Sequence, residues 1–205
     1  MRIKSVDFAG AIGQLRQAPP ASIEGLAQVA FAGRSNVGKS SLINRVLGRT
    51  RSPIARVSAQ PGKTQEINFY HVRAEPADFC LVDLPGYGYA KAPEALRTKW
   101  RPLIDSFLQE SEALRGVVQL IDVRHGPTPD DLRAVDYLAE LQLPALFVLT
   151  KLDKLKPSQR AAAIRKISEQ LMIDSDQVIA VSSLSGEGVE ELLQTLGGLL
   201  YSEEG

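Results

Sequence analysis

Apolar positions along the chain fall into short continuous runs, separated by stretches in which they recur every three or four residues. The runs 27-AQVAFAG-33, 78-DFCLVDL-84, 117-VVQLIDV-123, 144-PALFVLT-150 and 178-VIAVSS-183 have the length and continuity of buried strands. The stretch 66-EINFYHV-72 alternates instead, which predicts an edge strand paired with 78–84 across a turn at Glu75–Ala77. Helical spacing fills the gaps. Leu42, Ile43, Val46 and Leu47 share a face within 40–48, and Gly48 supplies a stop. In 94–114, Leu96, Trp100, Leu103 and Phe107 line one side, and Pro102 either kinks the helix or marks a restart. Further helices are expected over 128–141, 157–171 and 187–201. Strands alternating with helices predict an α/β fold: a mostly parallel six-stranded sheet with one antiparallel edge strand and helices on both faces. Residues 23–205 read as one domain, and 1–22 as a leader packed on it or flexible beside it. The basic stretch 49–62, punctuated by Pro53 and Pro61, reads as a mobile loop.

Composition narrows the class. With 44% hydrophobic and 23% charged residues, the chain has the balance of a soluble globular protein. No apolar run approaches the roughly 18–20 residues a membrane helix needs. The N-terminal stretch lacks the apolar core and cleavage site of a signal peptide. One cysteine, Cys80, sits inside an apolar strand, so no internal disulfide forms and a reducing cytoplasm is the expected setting. The net charge of +0 hides a separation: residues 1–63 hold ten Lys/Arg against two acids, and residues 102–205 hold nine against seventeen. That separation points to a polyanionic partner near the first half. His71 and His125 stand apart from Cys, His and Asp clusters, which argues against a metal centre built from protein ligands alone.

The chemistry lies at the strand ends. The stretch 33-GRSNVGKS-40 matches G-x-x-x-x-G-K-[ST] between a predicted strand and a predicted helix. Gly33 and Gly38 let the chain fold tightly, so that the backbone N–H groups of Arg34, Ser35, Asn36, Val37, Lys39, Ser40 and Ser41 form an anion nest. Lys39 is expected on the β- and γ-phosphates and Ser40 on Mg²⁺. In 83-DLPG-86, Asp83 is a second Mg²⁺ ligand, and Leu84 and Pro85 lead to Gly86, whose N–H faces the γ-phosphate. Thr64, after Gly62 and Lys63, is the best-placed threonine for the third metal position. The motif 150-TKLD-153 selects the base. Asp153 accepts from guanine N1–H and N2–H₂, which adenine does not offer, and the Lys151 stem covers a base face. The backbone N–H groups of Ser182 and Ser183, after Val181, are expected near guanine O6. Together these motifs make a guanine nucleotide, GTP or GDP, the expected ligand and disfavour an ATP-dependent kinase.

Read as a set, GRSNVGKSSLIN, PGKTQEINFY, DLPGYGYAK followed by Trp100, DVRHGPTPDD and TKLDK resemble the EngB (YihA/YsxC-type) bacterial GTPases over roughly residues 26–190. The resemblance implies a small GTPase-like P-loop NTPase fold and a cytoplasmic monomer. It also implies GTP hydrolysis in assembly of the large (50S) ribosomal subunit, with a consequent role in cell division and septation. Thr150 agrees with this family. Tyr87 follows Gly86 where Ras-like enzymes place a glutamine that orients water. The resemblance implies that Asn36 instead ligates K⁺ beside the phosphates, with Lys39 and Thr64 completing the catalytic set. On this reading hydrolysis is slow alone and stimulated by K⁺ and by a large-subunit precursor. Tyr87 and Tyr89 then either form, with Lys91, Arg97, Lys99 and Arg101, a docking face that exists only in the GTP state, or pack against the following helix. The alternative is a GTP-state-dependent interaction switch in cell division with negligible turnover.

Overall fold

The computed structural model describes residues 1–55, 66–87, 94–174 and 177–201, with the helical backbone alone for 94–100. Seven strands form one sheet in the order β1-β3-β4-β2-β5-β6-β7. They are β1 (Arg2–Ile12), β2 (Gln28–Gly33), β3 (Ile67–Glu75), β4 (Phe79–Asp83), β5 (Leu114–Asp122), β6 (Ala145–Thr150) and β7 (Val178–Ala180). The helices are α1 (Lys39–Val46), α2 (Glu94–Glu110), α3 (Pro129–Glu140), α4 (Pro157–Leu171) and α5 (Val189–Tyr201). Pro102 lies within α2 without ending it.

The α/β class and the parallel core follow the sequence expectation, but the edge does not. Residues 2–12, expected as part of a leader, are the outermost strand and pair antiparallel with β3 from Arg2↔Glu75 to Ile12↔Ile67. The sheet therefore has seven strands rather than six. The antiparallel strand β3 sits one place inside the edge, between β1 and β4. The other five strands run parallel to one another.

Alternation along each strand sends side chains to two cores. Val29 and Phe31 of β2 pack with Leu42, Ile43 and Val46 of α1 and with Leu192, Leu196 and Leu200 of α5. Ala30 and Ala32 face the other way, toward Leu103 and Phe107 of α2 and Leu138 of α3. A third cluster joins Phe147 and Leu149 of β6 to Ile167 and Leu171 of α4. Cys80 is fully buried on β4, and burial raises its thiol pKa to about 12. Among the described residues no helix is long and apolar enough to cross a membrane.

The chain leaves β2 with β4 on one side and β5 on the other. In an open α/β sheet this reversal of strand order opens a crevice at the C-terminal strand ends, the usual place for a ligand. Gly33, Asp83, Asp122 and Thr150 are all last residues of their strands.

Candidate functional site

The loop after β2 turns through Asn36, at φ 63°, and Gly38, at φ 106°, before α1 begins at Lys39. The first needs a residue that tolerates the left-handed region, and the second is natural for glycine. At Gly33 a Cβ would meet the Leu120 side chain and Val37 Cγ1, each at 3.0 Å, so glycine lets this strand end pass close to β5 without pushing those neighbours aside. The first-turn amides of Lys39, Ser40 and Ser41 have no intrahelical acceptor and carry the positive end of the helix dipole.

Lys39 and Asp83 meet here. The Lys39 ammonium is hydrogen-bonded to Asp83 Oδ1, and the two side chains are only 9% and 5% exposed. A lysine and a carboxylate are rarely buried unless paired. The segment after Asp83 then crosses the P-loop. Ser35 N–H donates to the Tyr87 carbonyl at 3.1 Å and Tyr87 N–H to the Gly33 carbonyl at 3.3 Å, forming a short parallel bridge. Gly86 lies against Ser35: a Cβ there would come within 2.8 Å of Ser35 Oγ and 3.2 Å of its backbone nitrogen.

The TKLD segment is tied to the same loop. Thr150 Oγ1 donates to the Val37 carbonyl at 2.6 Å, and Lys151 Nζ donates to the Asn36 carbonyl at 2.6 Å. Lys151 also lies 2.9 Å from Asp122, which Arg124 grips through Nε and Nη2 at 2.9 and 2.7 Å. Burial alone would raise the Asp122 pKa, but Arg124 and Lys151 together hold it well below the usual carboxylate range. Asp153 accepts from the Ser182 hydroxyl at 2.8 Å. That bond, with Lys154 alongside, keeps the Asp153 carboxyl ionised below its ordinary range. Arg45 of α1 donates through Nε to the Ser183 carbonyl at 2.7 Å, which fixes the loop after β7 to the helix that follows the P-loop.

Several expected ligand contacts differ in this geometry. The Ser35 amide is taken by Tyr87, the Val37 amide donates to the Arg34 carbonyl at 3.1 Å, and the Val37 side chain is core. Leu84 is 2% exposed and its amide donates to Phe31. Pro85 is buried beside it. Val181 spends both backbone groups on Leu149 and Leu152, within the fold. The Ser182 amide donates to the Glu187 carbonyl at 3.0 Å and its hydroxyl to Asp153, so both groups are engaged within the fold. Tyr87 is half-buried, with its hydroxyl turned inward: it donates to buried Asp131 at 2.9 Å and accepts from Gln119. Gly62, Lys63, Thr64, Tyr89 and Lys91 lie outside the described residues, as do the side chains of Arg97, Lys99 and Trp100.

Fold, strand-end geometry and motif order define a P-loop GTPase, and a family model described as 50S ribosome-binding GTPase matches residues 28–151. A model of the elongation factor Tu GTP-binding domain matches residues 104–202. The probable GTP-binding protein EngB of Gemmatimonas aurantiaca is 47% identical over 188 residues, 89% of this chain and 90% of that protein. Its counterpart in Desulforamulus reducens is 41% identical over 204 residues, 99% and 96% of the two chains. The chain belongs to the EngB family of GTP-binding proteins. Among solved structures, a probable GTP-binding protein engB superposes with a TM-score of 0.68 at 25% identity, covering 86% of this chain and all of that one. Era in complex with MgGDPNP and nucleotides 1506–1542 of 16S ribosomal RNA reaches 0.72 at 26% identity, covering 87% of this chain and 58% of Era.

Proposed function

We propose that this chain hydrolyses GTP to GDP and phosphate, slowly alone and faster with K⁺ and a large ribosomal subunit precursor, in the cytoplasm of a dividing cell. Its role is in 50S assembly, with normal division and septation depending on that. The observation that carries the nucleotide part is the pair of bonds from Thr150 and Lys151 to the P-loop carbonyls. They tie the segment that carries Asp153 to the P-loop, which supports a site that reads a guanine joined to phosphates.

Magnesium fits the residues present. Mg²⁺ prefers one or two carboxylates plus substrate phosphate oxygens. Buried Asp83 supplies the carboxylate, held here by Lys39, the neighbour of Ser40 in sequence, and no group of three or more metal-ligating side chains competes among the described residues. Ser40 and Asp83 would hold the ion, with Thr64 as the proposed third ligand; bound there, it neutralises phosphate charge. Lys39 would exchange its bond to Asp83 for the β- and γ-phosphate oxygens when nucleotide enters. Asn36 is exposed at the turn of the loop, where its side-chain carbonyl would ligate K⁺ and take the part an arginine finger plays elsewhere. The ribosomal part rests on the family description, on the rRNA-bound Era relative, and on the ten Lys/Arg of residues 1–63.

Phosphate release from GTP, measured in KCl and in NaCl with and without purified large subunits, tests this reading. K⁺ is expected to raise the wild-type rate, subunits to raise it further, and Asn36→Ala to abolish the K⁺ effect. Equal rates in both salts reject the cation role, and no phosphate release under any condition rejects hydrolysis.

A further inference from the structure

Tyr87 occupies the position at which a Ras-like enzyme orients water, yet its hydroxyl is turned into the protein. It donates to Asp131 Oδ1 at 2.9 Å and accepts from Gln119 Nε2, a polar side chain fully buried in the apolar strand β5. Burial, with Asp131 beside it, raises the phenol's pKa far above its ordinary value, so it remains a hydrogen-bond donor at any working pH. Asp131 is itself 0% exposed. Its second oxygen accepts from Thr128 N–H at 2.8 Å and Thr128 Oγ1 at 2.7 Å, and lies 3.0 Å from Arg34 Nε. One carboxylate thus touches the N-terminus of α3, the first P-loop variable residue and the residue after the DxxG glycine.

We propose that Asp131 is a positioning residue which, through Tyr87 and Arg34, fixes how the DLPG segment lies against the P-loop. The inference rests on the GTPase reading above. The main chain shows what is being fixed. Tyr87 bridges Gly33 and Ser35 through two backbone hydrogen bonds, and Gly86 packs directly on Ser35. The Gly86 N–H is the group expected at the γ-phosphate, so a small rotation at Tyr87 moves it relative to the reacting group. Asp131 sits 44 residues downstream of Tyr87 and belongs to none of the nucleotide motifs.

Capping α3 does not require this arrangement. A Thr128 hydroxyl and a solvated Asp131 would satisfy the helix end equally well. Burying the carboxylate instead is costly unless its partners matter. Among the described residues the network is also incompletely satisfied: Arg34 Nε, although close to Asp131, is misaligned for a hydrogen bond, and Gln119 Oε1 has no partner. A cluster of this kind is a poor way to gain stability and a good way to define one geometry.

Tyr87→Phe separates positioning from capping, because it removes one hydroxyl and leaves the Thr128–Asp131 box intact. Positioning predicts that kcat for GTP falls about 10-fold or more, since sub-ångström misplacement is amplified in the transition state, while GDP affinity stays within about 2-fold. The affinity ratio of a non-hydrolysable GTP analogue to GDP is expected to shift about 3-fold or more, because Gly86 meets only the γ-phosphate. Asp131→Asn should show the same kcat loss together with a lower Tm. The double variant should fall no further than Asp131→Asn alone, as residues acting as one unit are non-additive. A Tyr87→Phe protein with wild-type kcat and an unchanged affinity ratio overturns the proposal, leaving Asp131 as a helix cap. A wild type that releases no phosphate rejects the hydrolysis reading instead, and the affinity ratio still decides the positioning role.

Discussion

Asp122 and Ser182 show how much of the candidate base site is held by side-chain contacts that the motifs do not themselves specify. Asp122, at the end of β5, fixes Lys151 and Arg124 together, and its pKa is depressed in the folded chain. A depressed carboxylate contributes stability that is complete above its unfolded pKa, near 4, and is lost as pH falls toward the native value. Asp122→Asn should therefore cost about 1–3 kcal/mol at neutral pH, the range for a charged hydrogen bond left unmade. Its deficit against wild type should shrink below about pH 4 in urea melts; a deficit of constant size would contradict the pairing. Ser182→Ala removes the donor to Asp153 and the acceptor of the Ser185 amide. It is expected to weaken GDP about 10-fold, the equivalent of one such bond, with little change in Tm. The P-loop, DLPG and TKLD residues were legible from sequence because their spacing is local. The contacts of Asp131 and Gln119 with Tyr87, and of the Ser182 hydroxyl with Asp153, were not, because they span 29–44 residues and nothing in local spacing signals them.

The helices and the parallel strands follow the hydrophobic pattern closely, since each has one apolar face or is buried on both sides. β1 does not. Two register irregularities, between Ile3 and Ser5 and between Phe8 and Gly10, break its two-residue alternation, so a paired strand reads as an irregular leader. Covering β3 with β1 also moves the expected edge strand inward. Val6, 2% exposed and packed in the α1–α5 core, tests this placement. Val6→Ala should destabilise by about 1.5–3 kcal/mol in chemical denaturation, as a core truncation does, whereas a loose leader would show almost nothing. Cys80 reports on β4 in the same way. Fully buried, with its thiol pKa raised to about 12, it should resist a thiol reagent at pH 7.5 in the native protein and react fully in denaturant. Rapid labelling of the folded chain would place β4 nearer the surface.

At the scale of the molecule, the C-terminal strand ends gather the P-loop, DLPG and TKLD segments, while charge is divided along the chain. The excess of Lys/Arg in residues 1–63 predicts contact with a polyanion chiefly through phosphates. Co-sedimentation with large-subunit precursors should then fall steeply between about 50 and 200 mM salt. It should also be stronger with a GTP analogue than with GDP. Binding insensitive to both would remove the ribosomal proposal while leaving the nucleotide site untouched. That site is the centre of the account, and calorimetric titration of GDP and XDP into wild type and Asp153→Asn tests it most directly. Wild type should bind GDP and reject XDP, and the variant should reverse that order, because xanthine carries an oxygen where guanine carries its amino group. Wild type that takes up no GDP, or a variant that keeps the wild-type preference, would contradict it.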